Sequence, residues 1–318
     1  MNKFLKNFAL VAPFSIALLA GCGATVPNVG DDTIPHLIVA DAIAGAHLNL
    51  YVAYELGLFE QHGITVEILT LDTNAGARDL VATGHADIFL SCPTVAIAAI
   101  ANGAPISTIA QVKSPCTSAL SVPPDSEIRT LADLQGLLIS GVSPACEAII
   151  TFTKAMSQES LLDFELTTMS SGAALVALQA GQLDGAILEE PHTTIAELNG
   201  FIRMFDYLTE GIPCRTVNAR NLMINSNPDA ILAFVAALDE ANAIIMADPT
   251  AANVVEIGAY YTGAPVEAVA LANQRFGFDV ALQTEGLIML ADVLVELGDI
   301  RENPYENMFA NALKGVTW

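Results

Sequence analysis

Apolar and polar positions follow two alternating periods along the first part of the chain, and this alternation predicts strands separated by helices. Residues 36–40, 64–68 and 106–112 form short apolar or alternating runs of strand length. Between the first two runs, apolar residues of 48–59 recur at helical spacing. The resulting β-α-β-α-β order predicts a doubly wound sheet with helices on both of its faces.

The stretch 84–94 (GHADIFLSCPT) combines a helix end, a buried strand and the start of the next helix. Gly84 suits a helix C-terminus, residues 88–90 form an apolar strand, and Pro93 suits a first helical turn. A looser copy of this pattern, GQLDGAILEEP, occupies residues 181–191. Ligands of open α/β sheets bind beyond the carboxyl ends of the strands. The two copies therefore predict two lobes, each of which presents strand-end loops to a shared cleft.

Proline-rich breaks divide the pattern at two places, near Pro115 and near Pro213, which we interpret as crossovers between the lobes. After Pro228 the pattern is almost entirely helical, and we expect this tail to pack back on the first lobe. The predicted divisions are a signal peptide (1–21), a tether (22–33), the first lobe (34–117), the second lobe (118–213) and a return to the first lobe (214–318).

The charge balance is strongly acidic and excludes some classes of partner. The 318 residues include 35 Asp and Glu but only 12 Lys and Arg, which gives a formal net charge of −23. Twelve basic residues are too few to neutralise a run of phosphates. A nucleic acid or an anionic membrane face is therefore not an expected partner.

The N-terminus has the features of an export signal. Lys3 and Lys6 precede the apolar run 8–19, which is too short to span a bilayer. The sequence LAGC at residues 19–22 resembles a bacterial lipobox, which implies cleavage before Cys22 and lipidation of its thiol. An ordinary signal peptide with an incidental cysteine is the alternative. We therefore expect an exported protein that a lipid anchors at the cell envelope, in the periplasm or on the outer face of the plasma membrane.

Several motifs in register resemble the nitrate/sulfonate/taurine-type (NMT1/SsuA-like) solute-binding proteins of ABC importers. The resemblance runs from about residue 36 to 260. Each motif alone is weak evidence for the family, whereas the occurrence of all of them in the same order is specific. The motifs are LYVAYELGLF (50–59) with GITVE (63–67), LVATGHADI (80–88), LADLQG (131–136), and ALQAGQLDG (177–185) with Glu190-Pro191.

This resemblance implies a periplasmic-binding-protein fold, in which two doubly wound lobes are joined by two hinge strands and close around a small ligand. It also implies delivery of that ligand to an ABC permease and its ATPase. The family includes cytosolic enzymes that make the thiamine pyrimidine, but the lipobox argues against that activity. Sulfonate and nitrate binders grip an oxyanion, whereas the only basic candidates near a crossover here are Lys113, Arg215 and Arg220.

Four cysteines remain when Cys22 is set aside, and each falls where this fold would direct it towards the cleft. Cys92 and Cys146 lie at predicted helix N-termini, a position that lowers a thiol pKa and favours thiolate. Cys116 and Cys214 lie at the first and second crossovers. His47, Glu190 and His192 belong to neighbouring strand-end loops and are further candidate ligand-binding residues.

Three interpretations of the four cysteines stay open. An exported protein with four thiols can form two disulfides, in three possible pairings. Alternatively, the thiols bind a soft ligand, which is either a thiophilic metal such as Zn or Cu(I) or an iron–sulfur cluster held by four thiolates. Their spacing matches no local CxxC signature. In the third interpretation they are small buried hydrophobic residues.

The function that we expect is that of a monomeric, lipid-anchored binding protein, not an enzyme, which closes on a thiophilic ligand held by the four cysteines. Transport of a small organic solute or oxyanion (a sulfonate, nitrile or pyrimidine), with the cysteines in disulfides, is the first alternative. A thiamine-pyrimidine-synthase-like enzyme or a thiol redox protein is the second, and it requires a reactive cysteine beside a base.

Overall fold

Two five-stranded sheets of matching topology form the framework of the computed structural model, which describes residues 34–113, 115–161 and 163–310. The predicted signal peptide, the lipobox and the tether lie outside these residues. In spatial order, the first sheet consists of β2 (Thr65–Thr70), β1 (His36–Asp41), β3 (Ile88–Ser91), β10 (Cys214–Arg220) and β4 (Ile106–Lys113). The second sheet consists of β7 (Glu165–Thr168), β6 (Leu138–Gly141), β8 (Gly185–Leu188), β5 (Ala119–Val122) and β9 (Ile202–Met204).

The chain crosses between the sheets twice, and each crossing supplies an antiparallel strand. Strands β1, β2 and β3 are mutually parallel in the first sheet, and β10 runs antiparallel between β3 and β4. In the second sheet, β6 is parallel to β7 and β8, and β5 runs antiparallel between β8 and β9. The expected α/β architecture of two sheets with parallel strands is therefore confirmed.

Helices connect the parallel strands and continue to the end of the described chain. Those before the second crossover are α1 (Leu48–Glu55), α2 (Leu58–Gln61), α3 (Asn74–Ala82), α4 (Pro93–Ala101), α5 (Glu147–Gln158), α6 (Ser171–Gln179) and α7 (His192–Leu198). The later helices are α8 (Asn221–Ser226), α9 (Pro228–Ala247), α10 (Ala252–Thr262), α11 (Val266–Asn273) and α12 (Thr284–Leu297).

The helical C-terminal part packs mainly on the first sheet's layer, as expected. Helix α9 packs on α1 and α2, where Phe234 stacks on Phe59 with ring centroids 5.1 Å apart. Among the described residues, only α9 is long and apolar enough to cross a membrane, but half of that stretch is buried inside the protein. Helix α12 contacts both α4 and α5, and α11 contacts α7. The tail therefore also reaches the second sheet's layer.

The repeated Gly-x-x-Asp pattern has the same structural role in both sheets. Gly84 and Gly181 end α3 and α6 with positive φ angles of 84° and 69°, which glycine adopts without a Cβ clash. A carboxylate oxygen of Asp87 then accepts the backbone N–H of Ile38 at 3.0 Å, and Asp184 accepts that of Leu138 at 2.8 Å. Each aspartate thus secures the start of the neighbouring parallel strand.

Replacing the two aspartates should affect stability unequally. Asp87 is buried and also pairs with Arg220 at 2.7 Å, whereas Asp184 is exposed. We expect Asp87→Ala to lower the free energy of unfolding by about 2–3 kcal/mol and Asp184→Ala by about 1 kcal/mol. Urea denaturation followed by circular dichroism measures both changes. An equal loss for the two variants would contradict this assignment.

Candidate functional site

Strand-end loops from both sheets line one cleft of about 700 Å³, a size typical of small-ligand sites. The loops after the parallel strands β1, β2, β6, β7 and β8 all contribute to its walls, as the strand-end rule for open α/β sheets predicts. They comprise residues 42–45, 72–75, 142–145, 168–172 and 189–192. Both sheets therefore direct their strand ends towards the same space.

The walls of the cleft combine apolar side chains with the N-termini of helices. Ile43, Val95, Val142 and Met169 supply apolar surface. Helices α3 and α6 begin at the cleft, where the side chains of their capping residues accept hydrogen bonds from the first turn. Helix N-termini carry a partial positive charge, so these walls suit an organic body with an anionic end.

Arg215 is buried at the start of β10 and joins the two halves of the cleft. Its side chain is only 2 % exposed, and its backbone φ of 61° is unusual for a residue with a side chain. Its Nη1 donates to the sulfur of Cys92 at 2.8 Å, and its Nη2 donates to Oε1 of Glu189. Burial lowers the pKa of Arg215, but the nearby Cys92 sulfur and the carboxylates outweigh burial and raise it. The guanidinium is therefore fully charged.

Glu190 lies in the cleft-lining loop, but its carboxylate is occupied by other groups of the protein. One oxygen accepts the backbone N–H and the hydroxyl of Thr194 at 3.1 and 2.7 Å. The other pairs with Arg203 at 3.0 Å and with Arg275 at 2.8 Å. This carboxylate is thus neutralised and holds the loop in place. That Glu190 contacts a ligand is therefore still a prediction.

The two candidate histidines occupy different environments. His192 lines the cleft at the start of α7, and burial lowers its pKa, which favours the neutral ring. His47 is completely buried beneath the loop 42–45, where its Nδ1 lies 2.6 Å from Oδ1 of Asp41. Tyr51 donates to Oδ2 of the same aspartate at 2.7 Å and accepts the backbone N–H of Ala44 at 3.2 Å. His47 therefore supports a cleft loop from behind, without contributing to the described lining.

The four cysteines come together, but beneath the cleft and not in its lining. All four are free thiols and are between 2 % and 5 % exposed. They form two pairs around one carboxylate, that of Glu147. In the first pair, the sulfurs of Cys92 and Cys146 and a Glu147 oxygen lie within 4.8 Å of one another. In the second pair, the sulfurs of Cys116 and Cys214 and a Glu147 oxygen also lie within 4.8 Å of one another. No cysteine belongs to the described lining of the cleft.

Sequence reasoning missed Glu147, because an acidic residue in the first turn of a helix is usually a solvated partner of the helix dipole. Here the carboxylate is completely buried and accepts a hydrogen bond from the Cys214 thiol at 2.8 Å. Burial raises the pKa of Glu147, but the charge of Arg215 and the hydrogen bond from the Cys214 thiol lower it by more. The pKa of Glu147 therefore lies below its ordinary value. The carboxylate is ionised at neutral pH.

Burial reverses the expected tendency of two thiols towards thiolate. The hydrogen bond with Cys92 lowers the pKa of Cys146, but burial and the Glu147 charge raise it to about 12. The hydrogen bond with Cys146 and burial together raise the pKa of Cys92. Both sites are dry and close to the Glu147 carboxylate, and the Arg215 cation lowers the pKa of Cys92 without outweighing the hydrogen bond with Cys146 and burial. Both thiols are therefore protonated at neutral pH.

The architecture of two α/β halves with a ligand-sized cleft between their strand ends is that of periplasmic binding proteins. Residues 44–252 match the family described as NMT1/THI5 like, and the chain belongs to that family. No curated protein sequence is significantly similar to the chain.

Solved structures of transport proteins share this fold at low sequence identity. The alkanesulfonate-binding protein SsuA from Xanthomonas axonopodis pv. citri, bound to MOPS, is 18 % identical with a TM-score of 0.73, over 84 % of this chain and 95 % of that one. The nitrate-binding protein NrtA from Synechocystis PCC 6803 is 13 % identical, with a TM-score of 0.66 over 84 % and 82 %. A zinc-bound ligand-binding component of an ABC-type import system from Staphylococcus aureus is 12 % identical, with a TM-score of 0.75 over 89 % and 99 %.

Removing the buried guanidinium should destabilise the protein strongly. Arg215→Met leaves the buried Glu147 carboxylate without its main counter-charge, and we expect the free energy of unfolding to fall by about 3–5 kcal/mol. Arg78, which also lines the cleft, pairs with Asp79 at the surface. The control Arg78→Met should cost less than about 1 kcal/mol. Equal losses in urea denaturation would contradict a central role for Arg215.

Proposed function

We propose that this protein is the extracytoplasmic solute-binding component of an ABC importer and closes around a small ligand in the cleft. The observation that carries the proposal is the convergence of strand-end loops from two sheets on one cavity of about 700 Å³. Family membership and the fold shared with the sulfonate and nitrate binders support it. Its partners would be a permease, the ATPase of that permease and the solute, with the binding protein itself acting as a monomer and not as an enzyme.

We assign closure to rotation of one lobe against the other about the two crossovers. The lobes are residues 34–117 with 214–318, and residues 118–213. This division accords with the distribution of strands between the two sheets. Gly45 lies where the halves approach closely, since a Cβ there would be 2.8 Å from the carbonyl oxygen of Glu190. Domain closure about such hinges is a common response to ligand.

The solute that best suits the cleft is a small organic molecule with an anionic group, such as a sulfonate. Apolar side chains would contact its body, and the N-termini of α3 and α6 would face its charged end. The carboxylates of Glu189 and Glu190 are each paired with arginine, so they repel an anion less than free carboxylates would. A thiophilic solute bound by the four cysteines has less support, because their sulfurs are buried outside the described lining.

Solute binding should depend on the close approach at Gly45. MOPS, a sulfonate, should raise the melting temperature of the wild-type protein, because a ligand that binds only the folded state stabilises it. Gly45→Val inserts a side chain between the loops 42–45 and 189–192, and we expect the affinity for MOPS to fall by about tenfold or more, which is about 1.4 kcal/mol. Calorimetric titration of both proteins measures this change.

The variant's own melting temperature, measured without MOPS, is the control for folding. A folded Gly45→Val variant that binds MOPS as tightly as the wild type would contradict closure at this contact. Failure of the wild type to bind any of MOPS, methanesulfonate and nitrate would contradict the proposed solute class.

We also propose export and lipid anchoring through Cys22, which follows the predicted signal peptide. Expressed in bacteria, the wild-type protein should partition into the detergent phase of a Triton X-114 extraction, because its acyl chains transfer favourably out of water. Cys22→Ala should move the protein to the aqueous phase. Mass spectrometry of the mature N-terminus checks the cleavage site. A wild-type protein found entirely in the aqueous phase would contradict the anchor.

A further inference from the structure

One half of the buried cysteine cluster has the donor set and spacing of a thiophilic metal site. The sulfurs of Cys116 and Cys214 and an oxygen of Glu147 lie within 4.8 Å of one another. The three residues are 5 %, 3 % and 0 % exposed. Zinc bonds of about 2.3 Å to sulfur and about 2.0–2.2 Å to oxygen place tetrahedral donors roughly 3.5–3.8 Å apart. Only small shifts of the three donors are therefore needed, with the 2.8 Å contact between the Cys214 sulfur and Oε1 of Glu147 becoming longer.

A buried ammonium group lies near these donors and is compatible with negative charge on them. Lys113 is 1 % exposed, and none of the described carboxylates forms an ion pair with it. Its Nζ donates to the carbonyl of Pro115 at 3.0 Å and to the hydroxyl of Thr117 at 3.4 Å, and it lies 5.2 Å from the centroid of the Phe276 ring. A buried cation of this kind is costly unless negative charge lies close by.

Charge balance is compatible with a divalent cation at this position. A divalent cation with two thiolates and one carboxylate carries a net charge of −1, which is also the charge of the Glu147 carboxylate beside two neutral thiols, so Lys113 and Arg215 face the same charge with or without the ion. Binding displaces the two thiol protons to solvent, so no oxidant or reductant is involved. In the other half of the cluster, Arg215 already donates to the sulfur of Cys92 at 2.8 Å, which places a cation where a metal would bind.

We propose that Cys116, Cys214 and Glu147 bind one thiophilic divalent cation, such as Zn²⁺, apart from the solute cleft. The three ligands come from the first crossover, the start of β10 and the start of α5. The backbone N–H of Cys116 already donates to the carbonyl of Ile212 at 3.1 Å, which joins the two crossovers. The ion would tie both connections between the sheets to a helix of the second sheet's layer and so restrict hinge motion.

The test uses the full chain, purified anaerobically with reductant, loaded with Zn²⁺ and dialysed against metal-free buffer. Elemental analysis should give about one equivalent of Zn²⁺ per chain. Replacement by Co²⁺ should give a thiolate-to-cobalt absorption band, which reports sulfur ligation in the wild-type protein without any substitution. Cys116→Ser, Cys214→Ser and Glu147→Gln should each weaken Zn²⁺ binding by about tenfold or more, whereas Cys92→Ser should retain it.

Three results would overturn the assignment. They are the absence of retained Zn²⁺ in folded wild-type protein, an equal loss of Zn²⁺ in Cys92→Ser, and a Cys116–Cys214 disulfide in the reduced, anaerobic preparation by intact mass. Circular dichroism of each variant separates lost metal from lost fold. Titration of MOPS into the same samples tests the solute-binding proposal separately. Zn²⁺ binding can be absent while MOPS binding persists, and MOPS binding can be absent while Zn²⁺ binding persists.

Discussion

The buried guanidinium of Arg215 is the interaction on which the arrangement of the two halves depends. It lies at the start of the strand that returns from the second sheet to the first, and it is almost completely enclosed. From there it reaches Cys92, at the end of the first sheet's third strand, and Glu189, at the end of the second sheet's third parallel strand. A charge buried this deeply is tolerated only when it is paired and hydrogen-bonded. Its partners therefore specify how the two strand ends meet.

The cleft follows from this junction and from the topology. In each sheet four strands run parallel, and the strand that the crossover supplies runs antiparallel between the last two of them. Loops at the carboxyl ends of parallel strands from both sheets line the same space. The cleft floor is closed where the hydroxyl of Thr94, in α4, donates to the carbonyl of Ala145, before α5. Buried behind that floor are the four thiols and Glu147. One architecture thus separates an open, solute-sized space from a dry cluster of soft donors.

Much of the fold could be predicted from sequence, since it depends on local signals. The glycines at 84 and 181 and the aspartates three residues later mark equivalent turns in both sheets, and strand and helix periods are short-range patterns. The site was harder to predict, because its contacts join residues far apart in the chain. Glu147 has the sequence signature of a solvated helix start, and only the approach of Cys214, 67 residues later, makes it a buried partner of the thiols. Burial also overrides the effect of a helix N-terminus on the thiol pKa.

Hydrogen–deuterium exchange of the mature chain with and without MOPS tests most directly whether the strand-end cleft is the solute site. We predict that MOPS slows exchange in loops of both sheets together, at residues 42–45 and 72–75 of the first sheet and at 142–145, 168–172 and 189–192 of the second. Slower exchange confined to one sheet, or located away from these loops in a sample that binds MOPS, would contradict it.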